Sequence, residues 1–164
     1  MSQTPFLSPY DIELTLRVLL SFALGAVLGF ERERTGRPAG LRTHMLVCAG
    51  SACFTIVGID GFAGPPTSMR DPARVAAQVV TGVGFLGAGT IFRTPSTIRG
   101  LTTAASIWLV AAIGMLIGAG MYWLAIFSTV LGYATLEWLK PVARRRKSGE
   151  PSIVGGDQDE LDDE

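Results

Sequence analysis

Between Asp71 and Glu137 the sequence contains no aspartate or glutamate. Charge is scarce throughout: Asp, Glu, Lys and Arg make up 17% of the 164 residues, while apolar residues make up 48%. Soluble domains carry roughly 25% charged residues, so the scarcity favours a membrane class. Histidine occurs once, at His44, and no His, Cys and carboxylate set has zinc spacing. No Ser/His/Asp arrangement is legible. The two cysteines, Cys48 and Cys53, lie five apart in an apolar run, about 140° around a helix of 3.6 residues per turn. That is neither C-x-x-C nor a secreted disulfide framework, and both read as small buried hydrophobes. These absences argue against an enzyme, a metal or other cofactor, and a nucleic-acid partner.

Net charge is zero, but DQDELDDE at 157–164 holds six of the 14 acids. Without it the balance is 14 basic against 8 acidic residues, or +6.

What the sequence has in quantity is long apolar runs. With a window of about 19 residues, five candidate spans emerge at 12–30, 41–59, 74–92, 101–118 and 119–139. The last two divide at Gly118-Ala119-Gly120, and each run can cross a hydrocarbon core of ~30 Å at ~1.5 Å per residue. The expected fold is all-α, a polytopic membrane helix bundle of about five transmembrane helices. A short external segment, 1–11, precedes it, and a cytoplasmic basic-then-acidic disordered tail, 140–164, follows. A signal peptide fits the first run poorly, because Asp11 and Glu13 precede the first basic residue, Arg17.

Arginine placement gives the orientation. Arg32, Arg34, Arg37 and Arg42 fall between runs one and two, Arg93 and Arg99 between three and four, and Lys140 with RRRK at 144–147 after the fifth. The other connections are poorer, with Arg70 between runs two and three. The positive-inside rule then places the N-terminus outside and the C-terminus inside.

Gly82, Gly84 and Gly87 form G-x-G-x-x-G, a pattern that cradles a dinucleotide when a strand precedes it, a helix follows, and an acid stands about 20 residues on. Here the glycines lie mid-run and no acid follows, so no dinucleotide is expected. Helical spacing explains them better. Ala73, Ala77, Thr81, Gly84 and Ala88 share one face, small enough for another helix to approach closely, and Gly25-x-x-x-Gly29 offers a second such surface.

Three polar clusters are candidate functional sites, since ionisable groups are costly to bury in a membrane. The first is Glu31-Arg32-Glu33-Arg34 with Arg37 and Arg42; Arg34 and Arg37 read as solvated, whereas Glu31 and Glu33 suggest ion pairing. The second is Asp71, Arg74 and Gln78. Asp71 before Pro72 reads as a helix N-cap, Arg74 can snorkel to the interface, and Gln78, inside the apolar run, needs a hydrogen-bond partner. The third is TIRGLTTAAS at 97–106, with Arg99 as its charged member and Thr102, Thr103 and Ser106 able to bond their own helix or a neighbour. A lone His such as His44 reads as a hydrogen-bonded interface residue.

In this order, GFERERTGRPAGLRTHMLVCAG at 29–50, DPARVAAQVVTGVGFLGAGTIF at 71–92 and IRGLTTAASIW at 98–108 resemble the MgtC/SapB family of bacterial membrane proteins. The resemblance covers roughly residues 12–139. It implies a multi-pass inner (plasma) membrane protein linked to magnesium homeostasis and growth in low magnesium. For some members it also implies interaction with the membrane sector of the ATP synthase. Longer members continue into a cytoplasmic ACT-like domain; the expectation here is a short form without it, to which a virulence role is not carried over. Two functions follow as expectations. One is a non-enzymatic regulatory or interaction protein, with the bilayer, another membrane protein or a second copy of the chain as partners. The other is a small magnesium or cation transporter or channel subunit, lined by Glu31, Asp71, Gln78 and the glycine-rich third run.

Overall fold

The computed structural model describes residues 8–61 and 71–139. The expected tail, the outermost N-terminal residues and most of the connection carrying Arg70 lie outside them. The described residues form five helices: α1 (Pro9–Arg34), α2 (Leu41–Ile56), α3 (Pro72–Ala88), α4 (Leu101–Gly118) and α5 (Tyr122–Trp138). A π-helical turn, Val57–Gly61, extends α2, and a two-stranded antiparallel hairpin, β1 (Phe92–Arg93) and β2 (Ile98–Arg99), joins α3 to α4. By length and composition, Pro9–Arg34, Leu41–Gly61 and Leu101–Gly118 are long and apolar enough to cross a membrane. The helices α3 and α5 have 17 residues each, about 25 Å at 1.5 Å per residue.

Local chemistry sets the helix limits. Ser8 and Asp11 form a reciprocal capping box: the Asp11 N–H donates to Ser8 Oγ at 3.1 Å and the Ser8 N–H donates to Asp11 Oδ2 at 2.8 Å. Asp71 accepts the Ala73 N–H at 3.0 Å, with Pro72 in the first turn of α3. Gly100 stops the hairpin at φ +92°, where a Cβ would overlap the Thr90 carbonyl oxygen. Three expectations change here: Cys53, read as buried, is exposed, and two segments take a different structure. Glu31 to Arg34 belong to the last turn of α1 rather than to a loop, and residues 89–92, expected in the third span, form a turn and enter β1.

The packing is organised around α2. On one side Gly25 and Gly29 of α1 approach it, a Cβ at Gly25 falling 2.8 Å from the His44 carbonyl oxygen and one at Gly29 2.8 Å from the Leu41 Cα. On the other side Gly114 and Gly118 of α4 meet the Cys48 and Ala52 carbonyls. Small residues at four-residue spacing let backbones touch, and Gly114-x-x-x-Gly118 joins Gly25-x-x-x-Gly29 as a second such pair. These contacts make α1 antiparallel and α4 parallel to α2. Leu28, Cys48, Val110, Ile113, Ile117 and Ala125 fill the core between α1, α2, α4 and α5.

The face of α3 turned to the bundle is not the one expected. Val79, Val83 and Gly87 are buried, with Val79 and Val83 packed on Ile107 and Ala111 of α4. Ala73, Ala77, Thr81, Gly84 and Ala88 are exposed, and nothing lies within 4 Å of a Cβ placed on Gly84. Branched side chains, not small ones, make the contact within the chain, and Val83 faces inward. The outer surface is strongly apolar: Phe85 is 81% and Trp123 80% exposed.

Candidate functional site

Consecutive helices alternate in direction, so the C-terminal ends of α1, α3 and α5 share one end of the bundle with the N-terminal ends of α2 and α4. Among the described residues every ionisable aspartate, glutamate, lysine and arginine lies toward one end or the other. Arg32, Arg34, Arg37, Arg42, Arg93 and Arg99 gather at the first, with Glu31, Glu33 and Glu137. Asp11, Glu13, Asp60 and Asp71 gather at the opposite end, with Arg17 and Arg74.

At the basic end two charged residues turn inward. Glu31 and Arg32 are 1% and 3% exposed and pair with each other. Burying two charges is costly, and removing one partner strands the other. The neighbouring acid acts on the backbone instead. Glu33 Oε2 accepts the Leu41 N–H at 2.7 Å, a carboxylate at the start of α2. Gly40 makes room for it, because a Cβ there would fall 2.7 Å from the same oxygen. Arg34 reaches Glu137 of α5, its Nη2 3.0 Å from both carboxylate oxygens; Arg37 is exposed. The loop from Thr35 to Gly40 is thereby held against the helix ends.

One turn into α2, at the same end of the bundle, His44 is fully buried. A Cβ on Gly29 would meet the His44 Cβ at 3.0 Å, so the glycine face of α1 is what admits the ring. His44 Nδ1 lies 2.9 Å from the Gly40 carbonyl oxygen and Nε2 3.1 Å from Ser106 Oγ, tying α2 to α4. Ser106 Oγ is in turn 2.8 Å from the Thr103 carbonyl oxygen, and Thr103 is buried too.

The expected site residues do not converge. Glu31 belongs to this buried cluster, whereas Arg42 and Arg99 are exposed at the same end. Asp71, Arg74 and Gln78 lie on α3, with Asp71 at the far end of the bundle from Glu31. The Asp71 carboxylate caps the helix, and Arg74 is exposed. Gln78 lines an apolar cavity of about 490 Å³ between α2 and α3, bordered also by Ser51, Phe54, Val79 and Val83.

A second polar group, centred on Arg17, was not singled out from the sequence. Its Nη1 donates to the Gly118 carbonyl oxygen at 2.9 Å and its Nη2 meets Glu13 Oε1 at 2.5 Å. Its guanidinium stands 5.8 Å from the centre of the Tyr122 ring. Arg17 thus ties α1 to the C-terminus of α4, where a cation is favoured, and to the start of α5. The spacing of Glu13 and Arg17, four residues apart, was the available signal.

Comparison with known proteins adds three relatives and a family. The MgtC family profile matches residues 18–145. The chain is 50% identical over 128 residues to the "Putative magnesium transporter YhiD" of Escherichia coli K12, covering 76% of this chain and 60% of that protein. It is 44% identical over 141 residues to "Protein MgtC" of Brucella abortus strain 2308, covering 82% of this chain and 57% of the relative. It is 39% identical over 169 residues to "Protein SrpB" of Synechococcus elongatus, covering 92% and 93% of the two chains. Against YhiD and the Brucella MgtC, then, it spans about 60% of their length. No solved structure matches.

Proposed function

The chain belongs to the MgtC family, and from that premise we propose that it is a multi-pass bacterial inner-membrane protein acting in adaptation to magnesium limitation. In this reading it works by contact with another membrane protein rather than by catalysis. Family membership and three long apolar helices support the membrane and magnesium parts. All five helices are read as crossing, with the basic end in the cytoplasm. Among the described residues, six arginines at that end against two at the other favour this orientation, which leaves the N-terminus outside and the C-terminus inside. Reporter fusions test it: one after Lys147 is active only in its cytoplasmic form, one at Met1 only in its external form.

The observation that carries the regulatory reading is the tight packing of α2 against α1 and α4, with an apolar cavity, not a charged path, beside α3. Backbone contacts through Gly25, Gly29, Gly114 and Gly118 seal α2 on two sides, and the described charges stand at the ends. The membrane sector of the ATP synthase is the partner that family resemblance supplies, and a second copy of the chain is the other candidate. The competing reading, a cation transporter, draws on the name of the 50% identical relative, "Putative magnesium transporter YhiD". Its path would have to join Glu31 and Asp71 across the length of the bundle. Purified protein in magnesium-loaded liposomes separates the two: no flux above empty vesicles is expected, and protein-dependent flux lost in Gln78→Leu establishes the transporter.

A further inference from the structure

His44 is the one histidine in the chain, and the hydrogen bonds around its ring constrain where protons can sit. The Gly40 carbonyl oxygen, 2.9 Å from Nδ1, also accepts the His44 backbone N–H at 3.2 Å. A carbonyl only accepts, so Nδ1 must carry a hydrogen. At the other side of the ring, Ser106 has a single hydroxyl hydrogen and two acceptors within reach, His44 Nε2 at 3.1 Å and the Thr103 carbonyl oxygen at 2.8 Å. If that hydrogen goes to Thr103, the hydroxyl presents a lone pair to Nε2, and the contact is favourable only when Nε2 is protonated as well. If Nε2 is bare, the hydroxyl must turn and donate to it. Both arrangements keep α2 bonded to α4, and they differ by one proton.

We propose that His44 and Ser106 form a buried proton-binding site where α1, α2 and α4 meet. The neutral ring is Nδ1–H and accepts from Ser106 at Nε2. A proton taken from bulk water adds at Nε2, and the Ser106 hydroxyl rotates from donor to acceptor, turning its own hydrogen toward the Thr103 carbonyl. No bond between heavy atoms forms or breaks. The ring sits about one turn, roughly 5 Å, into its helix, close to the basic end.

The charged neighbours are few. From α1 come Glu31 and Arg32, the buried pair on its last turn. The described α4 contributes only hydroxyls, Ser106 and Thr103, since residues 101–118 hold no ionisable group. On α2 itself Arg42 is exposed, and the Cys48 thiol is buried one turn further on. Glu33, on the last turn of α1, is bound to the Leu41 N–H. Proton uptake therefore adds a buried cation at the end of the bundle that holds the Glu31–Arg32 pair, where Gly29 brings α1 against the His44 side chain.

Nitrogen NMR of full-length protein in lipid nanodiscs, with ¹⁵N-labelled histidine, reads one ring without ambiguity. Spectra are taken from below to above the ordinary histidine range of about pH 5 to 8. The expected neutral ring is Nδ1–H with Nε2 as acceptor, and acidification protonates Nε2. In Ser106→Ala the Nδ1–H form persists, while proton affinity falls about tenfold, because a charge-assisted bond is lost from the charged ring and a weaker neutral one from the uncharged ring. A neutral Nε2–H ring, or a ring that never takes a second proton across the range, overturns the site. A midpoint unchanged or raised in Ser106→Ala overturns the part given to Ser106. If that variant does not fold, the parent protein's tautomer and titration decide by themselves.

Discussion

Gly114 lies so close to the carbonyl of Cys48 that a methyl group in place of its hydrogen would overlap the oxygen. This contact, repeated four residues on between Gly118 and Ala52, makes the α2–α4 crossing a backbone-to-backbone contact. Replacing Gly114 with Ala should lower stability by at least ~1–3 kcal/mol, the usual cost of overpacking. Gly84→Ala, at an open position, should be neutral or slightly stabilising, since alanine is the better helix former by up to ~1 kcal/mol. Thermal unfolding of both variants in detergent provides the comparison; equal midpoints would mean that the crossing is looser than described.

A second pair of substitutions asks which face of α3 is buried. Val83 packs on α4, while Thr81 is exposed. Val83→Ala should cost roughly 1–3 kcal/mol through lost packing on α4, and Thr81→Ala should stay within about ±0.5 kcal/mol. The reverse order would put the small face of α3 inside the monomer.

The Glu31–Arg32 pair should behave as a unit. Glu31→Gln leaves the Arg32 guanidinium buried without its counter-charge, a loss of roughly 3–5 kcal/mol. The double change Glu31→Gln with Arg32→Met should recover a large part of that loss. Arg34→Gln, which breaks the more exposed pair to Glu137, should cost no more than about 1 kcal/mol. A double-mutant cycle read by denaturant unfolding measures the coupling, with Arg34→Gln alongside, and additive single losses would rule it out.

Gly100 carries a fourth prediction. Its φ of +92° and its contact with the Thr90 carbonyl leave no space for a side chain. Gly100→Ala should detach the hairpin from the start of α4, with a penalty above the ~1–2 kcal/mol of left-handed backbone alone. Protease cleavage between Phe92 and Arg99, absent in the parent and present in the variant, is the readout.

Much of the architecture was legible from composition and spacing. Runs of membrane length, broken at Gly118-Ala119-Gly120 and bounded by arginines, already indicate five helices, and Asp71-Pro72 marks a helix start, because caps and breaks are local chemistry. Gly25 and Gly29 announced a close helix approach for the same reason. Two other features needed the tertiary structure. One is the inward face of α3, where valines beat the small residues that periodicity had grouped. Periodicity tells which residues share a face, and in water hydrophobicity would tell which face turns in. Against lipid tails as apolar as the core, that second signal disappears, and only shape complementarity with Ile107 and Ala111 selects Val79 and Val83. The other is the meeting of His44 with Ser106, 62 residues later. Each residue alone reads as an ordinary polar side chain in a helix. Their bond exists because Gly29 lets α1 close over the ring and because α2 and α4 run parallel, a relation between helices that no local stretch of sequence contains.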